Sequence, residues 1–280
     1  MTAQDTIKFS QDSVDPYYHD QRGFELYHGD SLELLEQMEP GQFDMIFADP
    51  PYFLSNDGMT CKNGRMVSVN KGKWDKSLGV QDNHEFNLRW LAACQRLLKP
   101  DGSMWVTGTH HVIFSIGFAM QSLGFKILND VSWFKVNPPP NLSCRYFTHS
   151  TETIIWAARD GKSRHTFNYK VMKEMNEGKQ MKSMWSITAP RKKEKSHGRH
   201  PTQKPLKLLD RIIQAASNEG DLILDPFSGS GTTGVAAAAI GRRYVGIEAN
   251  DEYLDLSIRR FEEIAPEPVA APREEIALRA

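Results

Sequence analysis

Almost from end to end, this chain alternates short apolar runs with stretches of helical spacing, and that alternation leaves few architectures open. Phe24–His28 reads as a strand and Ser31–Met38 as a short helix. Phe43–Ala48 (FDMIFA) is a nearly continuous apolar run closed by Pro50 and Pro51, the pattern of a strand covered on both faces. Glu85–Leu98 places Phe86, Leu88, Leu91, Ala92, Leu97 and Leu98 at helical spacing, and Lys99-Pro100-Asp101-Gly102 is expected to stop that helix. Ser103–Thr107 follows as a strand, Val112–Leu123 as a helix ended by Gly124, and Ile127–Phe134 and Thr153–Ala158 as further strands. After an interruption the rhythm resumes with helix Leu206–Ser217, strand Leu222–Leu224, helix Thr233–Ile240, strand Tyr244–Ile247 and helix Asp251–Glu263. Such alternation predicts an α/β fold, a doubly wound, mostly parallel sheet with helices on both faces. In such sheets ligands gather at the carboxyl ends of the strands, near the topological switch point.

The interruption, residues 159–200, is basic and weakly periodic, with a Pro190-Arg191-Lys192-Lys193 cluster, and is expected to be an insertion of loops and short helices. Between Arg159 and Arg211 there are 15 Lys and Arg against 5 Asp and Glu, although the whole chain has a net charge of −1. A basic block in an otherwise acidic protein is the footprint of a polyanion partner, unless it is a solvated charged loop. The 280 residues suffice for one large domain with such an insertion. The expected organisation is an N-terminal segment (1–23), a first half of the domain (24–158), the basic insertion (159–200), the second half (201–263), and a Pro- and Ala-rich tail (264–280) expected to be disordered. Residues Met1 to Gln11 are polar, and no run approaches the roughly 18–20 apolar residues of a membrane span. The expectation is a cytoplasmic protein whose three cysteines, Cys61, Cys94 and Cys144, stay reduced.

Two motifs sit where the predicted strands end. The first is Asp49-Pro50-Pro51-Tyr52, directly after the buried run. An exocyclic amine on a base is a poor nucleophile, because its lone pair is delocalised into the ring. A carboxylate accepting one N–H and a backbone carbonyl accepting the other favour a tetrahedral nitrogen with a free lone pair. Asp49 can supply the carboxylate and Pro50 the carbonyl, with Pro51 helping to hold the turn rigid. Tyr52 offers a face on which a base can stack. A base inside a duplex would have to be flipped out, at a cost of roughly a few kcal/mol. The bland reading is a tight turn, since Asp and Pro are turn residues.

The second motif is Asp225-Pro226-Phe227-Ser228-Gly229-Ser230-Gly231-Thr232-Thr233, which follows a strand and opens a helix. Gly229 and Gly231 permit close backbone approach, and the helix N-terminus presents free N–H groups. Glu248, at the end of the next strand, is placed to bind ribose hydroxyls. Together they predict a nucleoside site, and no GxxxxGK[ST] phosphate loop is present. His200-Pro201-Thr202-Gln203-Lys204-Pro205 precedes a helix, and Lys204 could meet a carboxylate or be a surface residue of a Pro-led helix start.

These motifs in this order resemble the β group of DNA amino-methyltransferases, in which a DPPY-type motif precedes an FxGxG motif with target recognition between them. The resemblance spans about Phe24 to Phe261. It implies a seven-stranded methyltransferase sheet, S-adenosylmethionine as cofactor, and DNA as partner. It implies that Asp49, Pro50, Pro51 and Tyr52 are catalytic, with Asp49 also near the cofactor. Asp225, Phe227, Gly229, Ser230, Gly231 and Thr232 would wrap the cofactor and Glu248 would bind its ribose. Asp30 would lie by its adenine, or simply cap a helix, and Thr202 and Lys204 would line its methionine end. The stretches Phe47–Asn56, Asn141–Thr153 and Gly178–Trp185 are similar to the second adenine methyltransferase of DpnII-type restriction systems, which implies N6 of adenine in GATC, in duplex or single-stranded DNA. Arg145, Lys192 and Lys193 are the expected DNA contacts, and the likeness also implies a homodimer. A sulfonium methyl is already activated, so no metal is expected. An N4-cytosine enzyme is the near alternative, usually with Ser where Asp49 stands, and a non-catalytic DNA-binding relative of the fold is the other. A C5-cytosine enzyme would need a Cys nucleophile, typically after Pro, and no cysteine here follows one.

Overall fold

The run Phe43–Ala48 becomes the middle strand, with five of its six side chains buried. The structure, a computed structural model, describes residues 7–10, 14–54, 59–62, 65–68, 75–77 and 79–264. The elements are β1 (Tyr18–His19), β2 (Phe24–His28), α1 (Ser31–Gln37), β3 (Phe43–Ala48), β4 (Met59–Lys62), β5 (Arg65–Ser68), α2 (Val80–Leu97), β6 (Leu98–Gly108), α3 (Ile113–Ser122), β7 (Lys126–Phe134), β8 (Thr151–Ala158), α4 (Tyr169–Met175), β9 (Met184–Ser186), α5 (Leu206–Ala216), β10 (Leu222–Asp225), α6 (Thr232–Ala239), β11 (Arg243–Glu248) and α7 (Asp251–Ile264).

The sheet order is β1-β2-β11-β10-β3-β6-β8-β7-β9, with β4 and β5 forming a separate hairpin. From β2 to β6 neighbouring strands are parallel, and β8 is antiparallel to both β6 and β7. The sheet therefore has nine strands rather than the seven expected. The seven are all present, and the additions are the edge strands β1 and β9, of two and three residues, too short to display a period in sequence. Apolar residues alternate between the two faces. Ile46, Leu224 and Val245 pack with Trp90, Leu91 and Ile116 of α2 and α3. Met45, Phe47 and Ile223 pack with Leu208, Ile212 and Ile213 of α5 and with Phe261 of α7. The result is a three-layer sandwich whose strands are buried on both sides.

One expected boundary changes, and two further segments are seen to be attached to the sheet. The segment Lys99–Gly102 was expected to separate a helix from a strand. Instead α2 ends at Leu97 and β6 begins at Leu98, with the register against β3 jumping from Phe43↔Leu98 to Met45↔Ser103. Asp44 holds the jump together, accepting from Lys99 Nζ at 2.7 and 2.8 Å and from the Leu222 N–H at 2.9 Å. The basic stretch 159–200 is stitched to the sheet. Its β9 pairs with β7, Met172, Trp185 and Ile187 are buried, and the Asn168 amide donates to the carbonyls of Gln214 and Ser217 at 2.9 and 2.8 Å. The N-terminal segment is also attached, through β1 on β2 and a bridge between Phe9 and Met38. The tail beyond Ile264, and most of the stretch Ser55–Gly72, lie outside the described residues. Among the described residues no helix is long and apolar enough to cross a membrane.

Candidate active site

Strands β10 and β3 are parallel neighbours, with Ile223 opposite Met45 and Leu224 opposite Ile46. From β10 the chain winds outward through β11, and from β3 it winds the other way through β6. Their carboxyl ends therefore bound the switch-point cleft, and the two motifs, remote in sequence, meet there. One cavity is lined by Asp49, Thr202, Lys204, Asp225, Phe227 and Gly229, among others.

Asp49 is the hub of a buried polar network. Its Oδ2 accepts from Lys204 Nζ at 2.5 Å, and its Oδ1 accepts from Thr107 Oγ1 at 2.6 Å and from the Tyr52 hydroxyl at 2.7 Å. Glu152, on β8, lies 3.4 Å from the Tyr52 hydroxyl and 3.8 Å from Lys204 Nζ, and its other oxygen accepts from Lys135. Two carboxylates and two ammonium groups thus balance one another, with only the Lys135 end of the network a quarter exposed. Burial alone would raise the Asp49 carboxyl. The Lys204 charge, with hydrogen bonds from Lys204, Thr107 and Tyr52, outweighs burial and holds it below its ordinary value. Burial would lower Lys204, but Asp49 and Glu152 hold it above its ordinary value. The motif's backbone is fixed by buried Asp75, which accepts from the N–H groups of Tyr52 at 3.0 Å and Leu54 at 3.1 Å. Tyr52 is only 5% exposed. The Lys204 ammonium lies 5.3 Å from its ring centroid, on a face where a base was expected to stack.

The glycine loop is shaped chiefly by packing within the protein. Gly229 and Gly231 have φ of 53° and 67°, the left-handed region that an L side chain disfavours. A Cβ on Gly231 would lie 2.7 Å from Ser257 of α7, and one on Gly229 would lie 3.1 Å from the His200 ring. Close approach at these glycines is therefore to α7 and His200. Asp225 accepts from the Phe227 N–H at 3.1 Å and from Thr233 Oγ1 at 2.5 Å. Burial, only partly offset by those bonds, pushes its carboxyl up to about 7. Arg260 donates to the Ser230 carbonyl and, at 2.8 Å, to Thr232 Oγ1. Burial lowers its guanidinium to about 10.

The DNA methylase family of N6- and N4-amino methyltransferases matches residues 43–259. The chain belongs to this family. It is 54% identical over 248 residues to the Type II methyltransferase M2.DpnII of Streptococcus pneumoniae, covering 88% of this chain and 92% of that protein. It is 51% identical over 254 residues to the Type II methyltransferase M2.MboI of Moraxella bovis, covering 90% and 93%. Among solved structures, the M1.HpyAVI–SAM complex superposes with a TM-score of 0.61 at 28% identity, over 84% of this chain and 98% of that one. The cytosine-N4-specific PvuII DNA methyltransferase superposes at 0.70 with 22% identity, over 91% and 90%, a likeness of fold.

The methyl donor of this DNA methylase is S-adenosylmethionine, whose sulfonium methyl is already activated for transfer. The residues lining the cleft fit such a molecule. Helix α6 starts at Thr232 without a side-chain cap, so first-turn N–H groups are available to a ligand acceptor. Gln203 Oε1 is buried without a hydrogen-bond partner among the described residues, an acceptor suited to a ligand N–H. Glu248 accepts from the Gly229 N–H at 2.8 Å and the Asn250 N–H at 3.0 Å. Burial, partly offset by those bonds, raises its carboxyl. Phe227 packs edge-on against Trp90, ring centroids 5.4 Å apart. Thr202 contacts His200 Nδ1 at 3.3 Å. Asp30 caps α1, accepting from the N–H groups of Leu32 at 2.8 Å and Glu33 at 3.2 Å. Ser31 beside it donates to the Pro226 carbonyl at 2.5 Å, joining that end of α1 to the motif. Arg145, Lys192 and Lys193 are exposed, the two lysines in a 3-10 turn spanning Lys192–Lys195.

Sequence reasoning missed Thr107, Glu152, Lys135, Asp75 and Arg260. Glu152 left a signal, an acid at the head of the apolar run TETIIWAA. Thr107, the last polar residue of SMWVT, left a fainter one. Asp75 left none, because its partners are backbone N–H groups brought to it by the fold.

Proposed function

We propose that this DNA methylase methylates N6 of adenine within GATC, in duplex and in single-stranded DNA, as the modification enzyme of a type II restriction system. The observation that carries the reading is an ionised, buried Asp49 carboxylate whose Oδ2 already accepts from a nitrogen donor, the Lys204 ammonium. An exocyclic amine is a nitrogen donor of the same kind. With the base flipped out of the stack, Asp49 Oδ2 accepts one N–H and the Pro50 carbonyl the other, and the nitrogen lone pair is directed at the methyl group. Positive charge developing on the nitrogen meets a carboxylate already held in place by Thr107 and Tyr52, so little reorganisation is needed. Lys204 must release Oδ2 as the amine arrives, and Glu152, 3.8 Å from Nζ, is the carboxylate that can receive it.

An Asp at the head of the motif, where N4-cytosine enzymes usually carry Ser, favours adenine. The likeness to the DpnII-type relatives supports GATC and a restriction partner. Asp225, Phe227, Gly229, Ser230, Gly231, Thr232, Glu248, Thr202 and Asp30 hold the cofactor, and Arg145, Lys192 and Lys193 contact phosphates or base edges. The working form is a cytoplasmic homodimer.

The test is methylation of four oligonucleotides, GATC-containing and scrambled, each as duplex and single strand, with labelled S-adenosylmethionine and mass identification of the product nucleoside. N6-methyladenine confined to the GATC oligonucleotides is expected. N4-methylcytosine would overturn the base assignment, and label in the scrambled strands would overturn the sequence assignment.

A further inference from the structure

Four rings form a ladder beside the catalytic network. The centroids of His110 and His111 are 3.8 Å apart, those of His110 and His149 are 4.3 Å apart with planes 19° from parallel, and those of His149 and Tyr146 are 5.3 Å apart. The ladder is open to solvent, with Tyr146 60% exposed, and next to it in sequence Phe147 is 96% exposed. A contiguous exposed patch of large rings, unlike a single exposed side chain, marks an interaction site.

Both arms of the ladder spring from strand ends that carry the reaction. His110 and His111 follow β6, whose Thr107 donates to Asp49. Tyr146 and His149 precede β8, whose Glu152 reaches Tyr52 and Lys204. The second arm is braced although its side chains are exposed. Asn141 Nδ2 donates to the Tyr146 carbonyl at 2.5 Å, and Asn141 Oδ1 accepts from Ser143 N at 3.0 Å and Ser143 Oγ at 2.7 Å. The turn passes through Cys144 at φ 52°. The rings are thus held out by a preorganised loop.

Phenol and imidazole faces, with an exposed phenylalanine and an arginine on either side of Tyr146 in sequence, make a surface suited to flat π systems and anions, where an aliphatic surface would suit a protein helix. Bases stack on such faces whatever their identity, and arginine adds cation–π attraction and a phosphate contact. A base inside a duplex has both faces covered by its neighbours, so the matching ligand is a base that is unpaired and unstacked. We infer that Tyr146, backed by His149, His110 and His111, and the exposed Phe147 and Arg145 that adjoin it in sequence form a stacking platform for an unpaired base adjoining the methylated one, and so give the enzyme its hold on single-stranded DNA. The inference rests on the reading that single-stranded as well as duplex DNA is a substrate and does not depend on which base or sequence is methylated.

The test compares wild type with the Tyr146→Ala/Phe147→Ala double variant, using fluorescence anisotropy on a short labelled GATC oligonucleotide, single-stranded and duplex. Both side chains project into solvent, so the variant folds, and calorimetric binding of S-adenosylmethionine verifies this. The expected result is single-strand affinity weakened by about 10- to 100-fold, the range set by loss of base stacking. Duplex affinity should change by less than about 3-fold, and Tyr146→Phe, which keeps the ring, should bind as wild type. Single-strand affinity within about 2-fold of wild type, equal losses on both strands, or a wild type that does not bind the single strand would each overturn the inference. Methylation of another base or sequence by wild type would overturn the GATC reading and leave the platform standing.

Discussion

Replacing Lys204 with methionine keeps a long apolar stem and removes the charge that neutralises Asp49. At the observed separation of 2.5 Å the gross attraction is about 6–7 kcal/mol at an effective dielectric of about 20. Desolvation of both groups consumes much of that, and breaking one side of a buried pair costs about 3–5 kcal/mol net. Thr107 and Tyr52 still donate to Asp49, so the lower end, about 3 kcal/mol, is expected, which lowers Tm by roughly 6–12 °C. The pH dependence is the sharper signature. In the wild type Asp49 is held below its ordinary 3.8, so its contribution is present above that value and lost as pH falls further. Lys204 is held above its ordinary 10.5, so its contribution is present below that value and lost as pH rises through the folded one. In Lys204→Met, burial dominates Asp49 and raises its carboxyl above its ordinary value, which reverses the sign, so above that value the variant loses stability with rising pH more steeply than the wild type, in which Asp225 already gives a slope of that sign. Because the amine needs an ionised Asp49, the acid limb of the single-turnover methylation profile should move toward neutrality. Thermal unfolding from about pH 5 to 9 and the rate profile are the assays. A variant with the wild-type Tm, a stability curve parallel to that of the wild type and an unmoved acid limb would refute the electrostatic account of the site.

Four further outcomes follow from the same geometry. Asp49→Ala should lower methylation by at least about 10²–10³-fold while calorimetric affinity for S-adenosylmethionine stays within a few-fold, and normal turnover would remove Asp49 from the mechanism. Glu152→Gln leaves Lys204 no second carboxylate, so DNA kcat/KM should fall by about 10- to 100-fold, the equivalent of a charged hydrogen bond. Unchanged cofactor binding and less target-site 2-aminopurine fluorescence should accompany that loss. Gly231→Ala puts a Cβ 2.7 Å from Ser257 at φ 67° and should cost about 2–5 kcal/mol in urea unfolding. Gly41→Ala, at φ 73° with nothing within 4 Å, should cost only about 1–2 kcal/mol. Asp225, raised from 3.8 to about 7, keeps a proton in the folded state that the unfolded state has lost, so it withdraws stability as pH rises between those values. Asp225→Asn should therefore gain on wild type from about pH 4 to 7, and a constant difference across that range would show that the carboxyl is not raised.

The sequence by itself determined the layered architecture, because a strand buried on both faces must be apolar along its length, as FDMIFA is, and a covering helix must be apolar on one side. It also marked the two motifs, since their residue types at strand ends are those suited to an amine and to a nucleoside. Short edge strands escaped it, because two or three residues cannot show a period and β1 and β9 exist only through pairing with β2 and β7. Tertiary structure alone decided which charges share the site. Lys204 and Glu152 are remote from Asp49 in sequence, and although an acid heading the apolar run TETIIWAA and a lysine in a Pro-flanked segment are both visible there, nothing local says that they meet at Asp49. Their roles arise because β3, β6, β8 and the start of α5 converge where water is excluded, and there each charge must have a partner. The glycines show the same division. That they bend the loop could be read from their spacing, but that they bend it against Ser257 and His200 depends on where α7 and the segment before α5 pack.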